Sequence, residues 1–239
     1  MSLRKDVRRA WKDLPVQPMA VVEYVAWRGS GISADLREWV RTNQRHQDPV
    51  SQRLPWLNFA LIAELDTWLA RRPRRVFEWG AGGSTLYYAQ RAVSVVTVEH
   101  DPEWAGRVAA EIGRLGLGNV DLRHVPEDED VRDVPVPRSP QRAEKLRLYG
   151  TYVNQVRQDG EEYDLIQVDG RARVECAAAA AECLAPGGII VIDDVDKPGR
   201  MADVRTLLDA AQWRIWRTWG PGPSSGRRLV TAAAVCSRR

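Results

Sequence analysis

The 239-residue chain is poor in phenylalanine, histidine and cysteine, with two, three and three of each. Its cysteines, Cys176, Cys183 and Cys236, show no C-x-x-C or other metal-type spacing, which argues against a zinc module. Cys176 and Cys183 lie in one alanine-rich helical stretch and read as buried free thiols, suited to a reducing compartment. No stretch approaches the roughly 18 apolar residues of a membrane span. The start, MSLRKDVRRAWKDL, is basic without the apolar core of a signal peptide. A cytoplasmic protein with no membrane partner is therefore expected. Charge of one sign is also scarce: a net +3 is too small to argue for a nucleic-acid partner. At 44% hydrophobic and 28% charged residues, wholesale disorder is not expected either. Tryptophan is the exception to the shortage of aromatics, with ten residues that read mostly as core and helix-packing anchors.

What is present is an ordered alternation. Residues 1–55 are polar and arginine-rich and read as an N-terminal helical extension. Within them ISADLREWVRTNQRH has helical spacing with Ser33 as N-cap. Arg4, Lys5, Arg8, Arg9 and Lys12 also recur at helical spacing, as a solvated face or a contact in a homodimer. Residues 56–239 form the main domain. It begins with a helix through Trp56, Phe59, Leu61, Ile62, Leu65 and Leu69, ended by Pro73. Strand candidates follow at 75–79, 94–100, 120–125, 163–169 and 188–194, mostly separated by helix-length segments. Short apolar strands linked by helices predict an α/β, doubly wound, mostly parallel sheet. A last pair, 213–219 and 227–236, is joined by GPGPSSG and predicts an antiparallel terminal hairpin, making seven strands. Residues 126–160 exceed what a crossover needs and read as a lid or as a solvated loop with a helix; Tyr149 and Tyr152 there are candidate substrate contacts.

The chemistry centres on VFEWGAGGST, residues 76–85, where an apolar strand runs into closely spaced glycines. A phosphate-binding P-loop needs a lysine after its last glycine, and Ser84 follows Gly83 instead. A dinucleotide turn wants glycine or alanine where Thr85 stands. Glu78, just before Gly80, would crowd a pyrophosphate but suits a ligand carrying an ammonium group. Glu99 ends the next strand at the spacing of a ribose-binding carboxylate, and Asp101 follows it at the nucleoside end.

Together VFEWGAGGST, VTVEHDPEW, YDLIQVDG and LAPGGIIVIDD resemble the class I S-adenosylmethionine-dependent methyltransferases over roughly residues 70–236. The resemblance implies a Rossmann-like fold and S-adenosylmethionine as cofactor. Gly80, Gly82 and Ser84 would line its methionine part, Glu78 would hold the ammonium, and Glu99 would accept the ribose hydroxyls. His100 would sit over the cofactor, and Glu127, after the third strand, would lie near adenine.

Asp169 closes the fourth strand candidate, and Asp193 and Asp194 close the fifth. Three converging carboxylates call for a cation, and Mg²⁺ would both supply it and activate an acceptor hydroxyl. The set is similar to the metal site of catechol-type and macrolide-sugar O-methyltransferases. Asp169 and Asp193 are then the candidate catalytic residues. One departure stands out: the catechol-type lysine base is replaced by Ala172, flanked by Arg171 and Arg173. An arginine stays protonated and is a poor base, but Arg171 could bind an anionic group of the substrate. The plainer reading is that Asp169 caps a helix and Asp193 bonds backbone amides. His46, His100 and His124 are weaker candidates for a base. The expected function is methyl transfer to a small-molecule acceptor, most readily a hydroxyl. A regulatory adenosylmethionine binder and an aminopropyl transferase are the alternatives, although Arg171 and Arg173 would repel a polyamine. The arginine- and alanine-rich composition suits a high-GC bacterial genome and natural-product tailoring.

Overall fold

The computed structural model describes residues 32–43, 48–129, 140–209, 211–223 and 230–239. The basic stretch at residues 4–12, His46 and the turn of the terminal hairpin lie outside them. A seven-stranded sheet has the order β3-β2-β1-β4-β5-β7-β6. Its strands are β1 Arg75–Trp79, β2 Ser94–Glu99, β3 Val120–His124, β4 Tyr163–Val168, β5 Leu184–Asp193, β6 Trp213–Pro221 and β7 Val230–Arg238. The first five pair in parallel; β7 runs antiparallel to both β5 and β6. The expected doubly wound sheet with an antiparallel hairpin is thus the observed one. Chain order reverses between β1 and β4, and in such sheets the crevice at that reversal, beyond the strand carboxyl ends, is where ligands bind.

Helices cover both faces. Among the described residues they are α1 Ile32–Asn43, α2 Pro49–Gln52, α3 Phe59–Leu69, α4 Gly83–Ala89, α5 Pro102–Leu115, α6 Pro140–Asn154, α7 Arg173–Glu182 and α8 Arg200–Leu207. On one face Trp39 of α1 and Leu61, Ile62, Leu65 and Leu69 of α3 pack with Val76, Leu165, Val191 and Val235 of the sheet. On the other, Tyr152 and Val156 join Cys176, Ala177 and Ala180 of α7 against Phe77, Ile166 and Ile190. Every residue of β4 is buried, as expected of a central strand covered on both faces. Two helix readings need correction. Ser33 lies inside α1 and not at its N-cap. The short α8, which begins after the left-handed Gly199, was not anticipated, because its sequence has no apolar periodicity.

The segment before α3 is part of the fold. Asp48 caps α2 by accepting from the Val50 and Ser51 amides, and Arg107 of α5 pairs with it at 2.5 Å. A Cβ on Gly83 would collide with the carbonyl oxygens of Pro49 and Leu54, so the absence of a side chain lets α2 lie directly on the start of α4. Among the described residues no helix is long and apolar enough to cross a membrane.

Asn58 joins α3 to the hairpin. Its Oδ1 accepts from the Leu61 amide (2.9 Å) and its Nδ2 donates to Thr218 Oγ1 (3.0 Å), both buried. Asn58→Ala removes a helix cap and strands the Thr218 hydroxyl's acceptor side, and is expected to cost about 1–3 kcal/mol in urea unfolding. A loss no larger than that of an exposed-site control would show that the cap is not supporting α3.

Candidate active site

The carboxyl end of β1 passes into the glycine turn. Gly80 has φ 96°, a left-handed backbone that favours glycine, and its N–H donates to the Val98 carbonyl at 2.8 Å. A Cβ there would come within 2.9 Å of the Gly170 nitrogen, so the loops after β1 and β4 run in backbone contact. The Asp169 amide donates to the Trp79 carbonyl at 2.9 Å and completes that junction.

Beneath the turn lies Glu78, fully buried. Its Oε2 accepts from Thr85 Oγ1 (2.6 Å) and Thr97 Oγ1 (3.0 Å), while Thr85 Oγ1 in turn accepts from the Gly82 amide (2.9 Å). Oε1 is buried with no hydrogen-bond partner. Burial pushes this carboxyl up to about 7, against the hydroxyls of Ser84, Thr85 and Thr97, which favour the charged form. Glu78 therefore braces the turn from below.

Glu99 does face the cleft. Its Oε1 accepts from the amides of His100 (2.8 Å) and Asp101 (2.9 Å), and its Oε2 from the Ala81 amide (3.1 Å). One carboxylate thus sets the loops after β1 and β2 relative to each other and keeps one acceptor site, on Oε2, for a further donor. Asp101 caps α5 through the Trp104 amide at 2.9 Å, and the Trp104 indole N–H donates to the Ala81 carbonyl at 2.6 Å. Arg171 Nε donates to His100 Nε2 at 2.9 Å, which leaves the ring proton on Nδ1, 2.6 Å from Glu99 Oε1.

These groups enclose a cavity of about 410 Å³. Gly80, Ser84, Glu99, Asp169 and Arg171 line it, with Trp56 from the segment before α3 as another wall. Gly82 and His100 also line it, whereas Glu78, Glu127, Tyr149, Tyr152, Asp193 and Asp194 do not. Tyr149 OH donates to Glu127, beside the cleft. Tyr152 is a core residue: fully buried, with its hydroxyl packed over Gly170, it is out of reach of a substrate. The helical spacing that paired it with Tyr149 reflected packing on the sheet. Trp56 and Trp104 were missed. The sequence DPEW does read as a helix start with proline at its first turn, but nothing in LPW announced a cavity wall.

The three aspartates come together, but around an arginine. Arg173 Nη2 lies 2.7 Å from Asp169 Oδ1, and its Nη1 lies 3.1 Å from Asp194 Oδ2 and 3.5 Å from Asp193 Oδ2. Lys197 pairs with Asp194 at 2.5 Å. Among the described residues no group of three or more His, Cys, Asp or Glu side chains is placed to hold a metal ion. The expected Mg²⁺ ligands Asp169, Asp193 and Asp194 therefore do not fit that ion here; the Arg173 guanidinium lies among them. Burial raises the Asp169 and Asp193 carboxyls above the ordinary carboxylate range, while the Lys197 and Arg173 charges hold Asp194 below it against its own burial.

No protein-family model and no curated protein matches the chain. Solved structures do. An O-methyltransferase from Bacillus cereus in complex with SAH superposes with TM-score 0.52 at 20% identity, over 91% of this chain and 97% of that one. Precorrin 8w decarboxylase from Methanobacterium thermoautotrophicum gives 0.52 at 17%, over 77% and 93%. An rRNA methylase from Streptococcus thermophilus gives 0.51 at 15%, over 74% and 95%. The fold is the Rossmann-like methyltransferase fold. In this methyltransferase fold the glycine turn and Glu99 stand together at the reversal of strand order, the crevice described above.

Glu78 gives the methyltransferase fold of this chain a measurable pH signature. Unfolded, the carboxyl ionises near its ordinary 4.5; folded, near 7. Between those values the folded chain holds the extra proton, so stability falls as pH rises, by at most on the order of 3 kcal/mol. Glu78→Gln is expected to flatten that decline in urea midpoints taken at about pH 5 and about pH 8. An equally steep decline in the variant would assign the effect to another group.

Proposed function

We propose that this protein transfers a methyl group from S-adenosylmethionine to a small-molecule hydroxyl. The observation that carries the reading is the Gly80–Ser84 turn and the Glu99 carboxylate facing one cavity at the crevice of a methyltransferase fold. The chain's groups fit the cofactor. Gly80 brings bare backbone to the cavity wall, and Glu99 keeps one acceptor site on Oε2 for a ribose hydroxyl. Ser84 offers a hydroxyl at the methionine end, and His100 and Asp101 stand at the nucleoside end.

Bound there, the cofactor supplies an electrophilic methyl on a sulfonium. The chain's own task is to align an acceptor oxygen with it and take the acceptor's proton. Asp169 is the group for the second step: it lines the cavity, and burial raises its proton affinity above that of an ordinary carboxylate. Asp193, buried behind it, faces the same Arg173 guanidinium. Arg171 lies at the cleft mouth and suits an anionic substituent on the acceptor. Trp56 offers an apolar wall. No step is routed through Mg²⁺, because Arg173 takes its place. The net charge of +3 is too small to argue for RNA, the substrate named for one structural neighbour.

The test is calorimetric titration of S-adenosylmethionine into the wild-type protein and Glu99→Gln. Micromolar binding is expected for the wild type. The variant loses charge-assisted bonds of about 1.5–3 kcal/mol, a roughly ten- to hundredfold weaker Kd. No binding of S-adenosylmethionine or its demethylated product at millimolar concentration would overturn the reading.

A further inference from the structure

The cluster at the carboxyl ends of β4 and β5 mixes acidic and basic side chains. Asp169, Asp193 and Asp194 meet Arg173, Lys197 and Arg200. Arg173 is the central member. Its side chain is only 14% exposed, and it alone reaches all three carboxylates. Its Nη2 also donates to the Asp169 carbonyl (2.8 Å) and its Nε to the Gly170 carbonyl (3.1 Å). Nη1, buried between Asp193 and Asp194, makes no directed hydrogen bond and holds them by charge alone.

The backbone is bent to make this possible. Ala172 (φ 45°) and Asp194 (φ 58°) are both left-handed non-glycine residues, one on each side of the cluster. Such residues are strained and persist where surrounding contacts over-determine them. Ala172 is the residue from which α7 starts, so its conformation sends Arg173 back over the Asp169 turn. Lys197 and Arg200 contact Asp194 from the far side, with Arg200 Nη1 also donating to the Asp194 carbonyl at 3.1 Å.

We infer that Arg173 is a built-in cation that occupies a latent divalent-metal site, so that the three aspartates are held in position without a metal. A guanidinium cannot lose its proton and cannot share this space with Mg²⁺, which demands close oxygen ligands at about 2.1 Å in octahedral array. The tethered charge does what an ion would do for the carboxylates: it offsets their repulsion and fixes their spacing. It does so without an open coordination position for an acceptor oxygen. That restricts proton removal at this edge to a carboxylate and makes Arg173 a positioning residue. Only this last consequence rests on the methyl-transfer reading; the resident cation does not.

The experiment is thermal unfolding and Mn²⁺ titration, without cofactor, of the wild type, Asp193→Asn, Arg173→Ala, Arg173→Lys and Arg173→Ala/Asp193→Asn. The wild type and Arg173→Lys are expected to show no Mn²⁺-dependent shift in Tm. Arg173→Ala leaves the carboxylates uncompensated, so it should melt lower in chelator and recover with Mn²⁺, binding it at least tenfold more tightly than the wild type. Adding Asp193→Asn should abolish that recovery. A folded Arg173→Ala with no Mn²⁺ response overturns the inference. So does a wild type that binds Mn²⁺ in a manner lost in Asp193→Asn, a comparison that holds even if Arg173→Ala does not fold. S-adenosylmethionine titration of the same proteins keeps the two readings apart, because failure of the cation inference leaves wild-type cofactor binding untouched.

Discussion

The backbone contact between the turns after β1 and β4 is the constraint on which the site depends. Gly80 lies against the Asp169–Gly170 peptide with no room for a Cβ, and Tyr152 presses on Gly170 from the other side. That junction sets the floor of the crevice. It places the glycine turn and Asp169 on one cavity, although 89 residues separate Gly80 from Asp169 in the chain. Widening it by one methyl group would shift both loops at once, because close-packed interiors pass strain to their neighbours and do not absorb it.

Around that junction four carboxylates are buried or nearly so, and each is offset differently. Glu78 is met by hydroxyls, Glu99 by backbone amides, and Asp169 and Asp193 by the Arg173 guanidinium. Burial raises the Glu78 carboxyl to about 7 although the hydroxyls around it favour its charged form, whereas Glu99 is held by three backbone amides. The arrangement separates roles. A carboxyl that braces the turn need not be charged, whereas Glu99, held by backbone amides, faces the cavity. The aspartate pair lies between these extremes. It is desolvated enough to bind a proton more tightly than a surface carboxylate, and it is held by a cation that cannot dissociate.

The fold was highly legible because two periodicities dominate the chain. Apolar runs of strand length alternate with helix-length segments, and β1 coincides with the expected 75–79. The hairpin followed from the lack of room for a helix before the last strand. What failed was local. In α8 no apolar stripe marks the helix, and the spacing of Tyr149 and Tyr152 said that they share a helix face without saying which face meets the core. For the site, sequence placed the glycine turn and Glu99 at strand ends, and the sheet order brings them onto one cavity. The role of Glu78 was harder to read: one residue before Trp79, its direction depends on the pleat, and the pleat turns it beneath the loop.

By itself, then, the sequence determined the order of elements, the parallel sheet and the positions of its turns, because these follow from hydrophobic period and from glycine's freedom at single positions. Only the tertiary structure decided what fills the space between Asp169, Asp193 and Asp194. Sequence spacing shows three carboxylates converging and a charge to be balanced. Whether a metal or a side chain balances it depends on the direction in which Arg173 leaves α7. That direction is set by the left-handed backbone at Ala172 and by contacts from residues far along the chain.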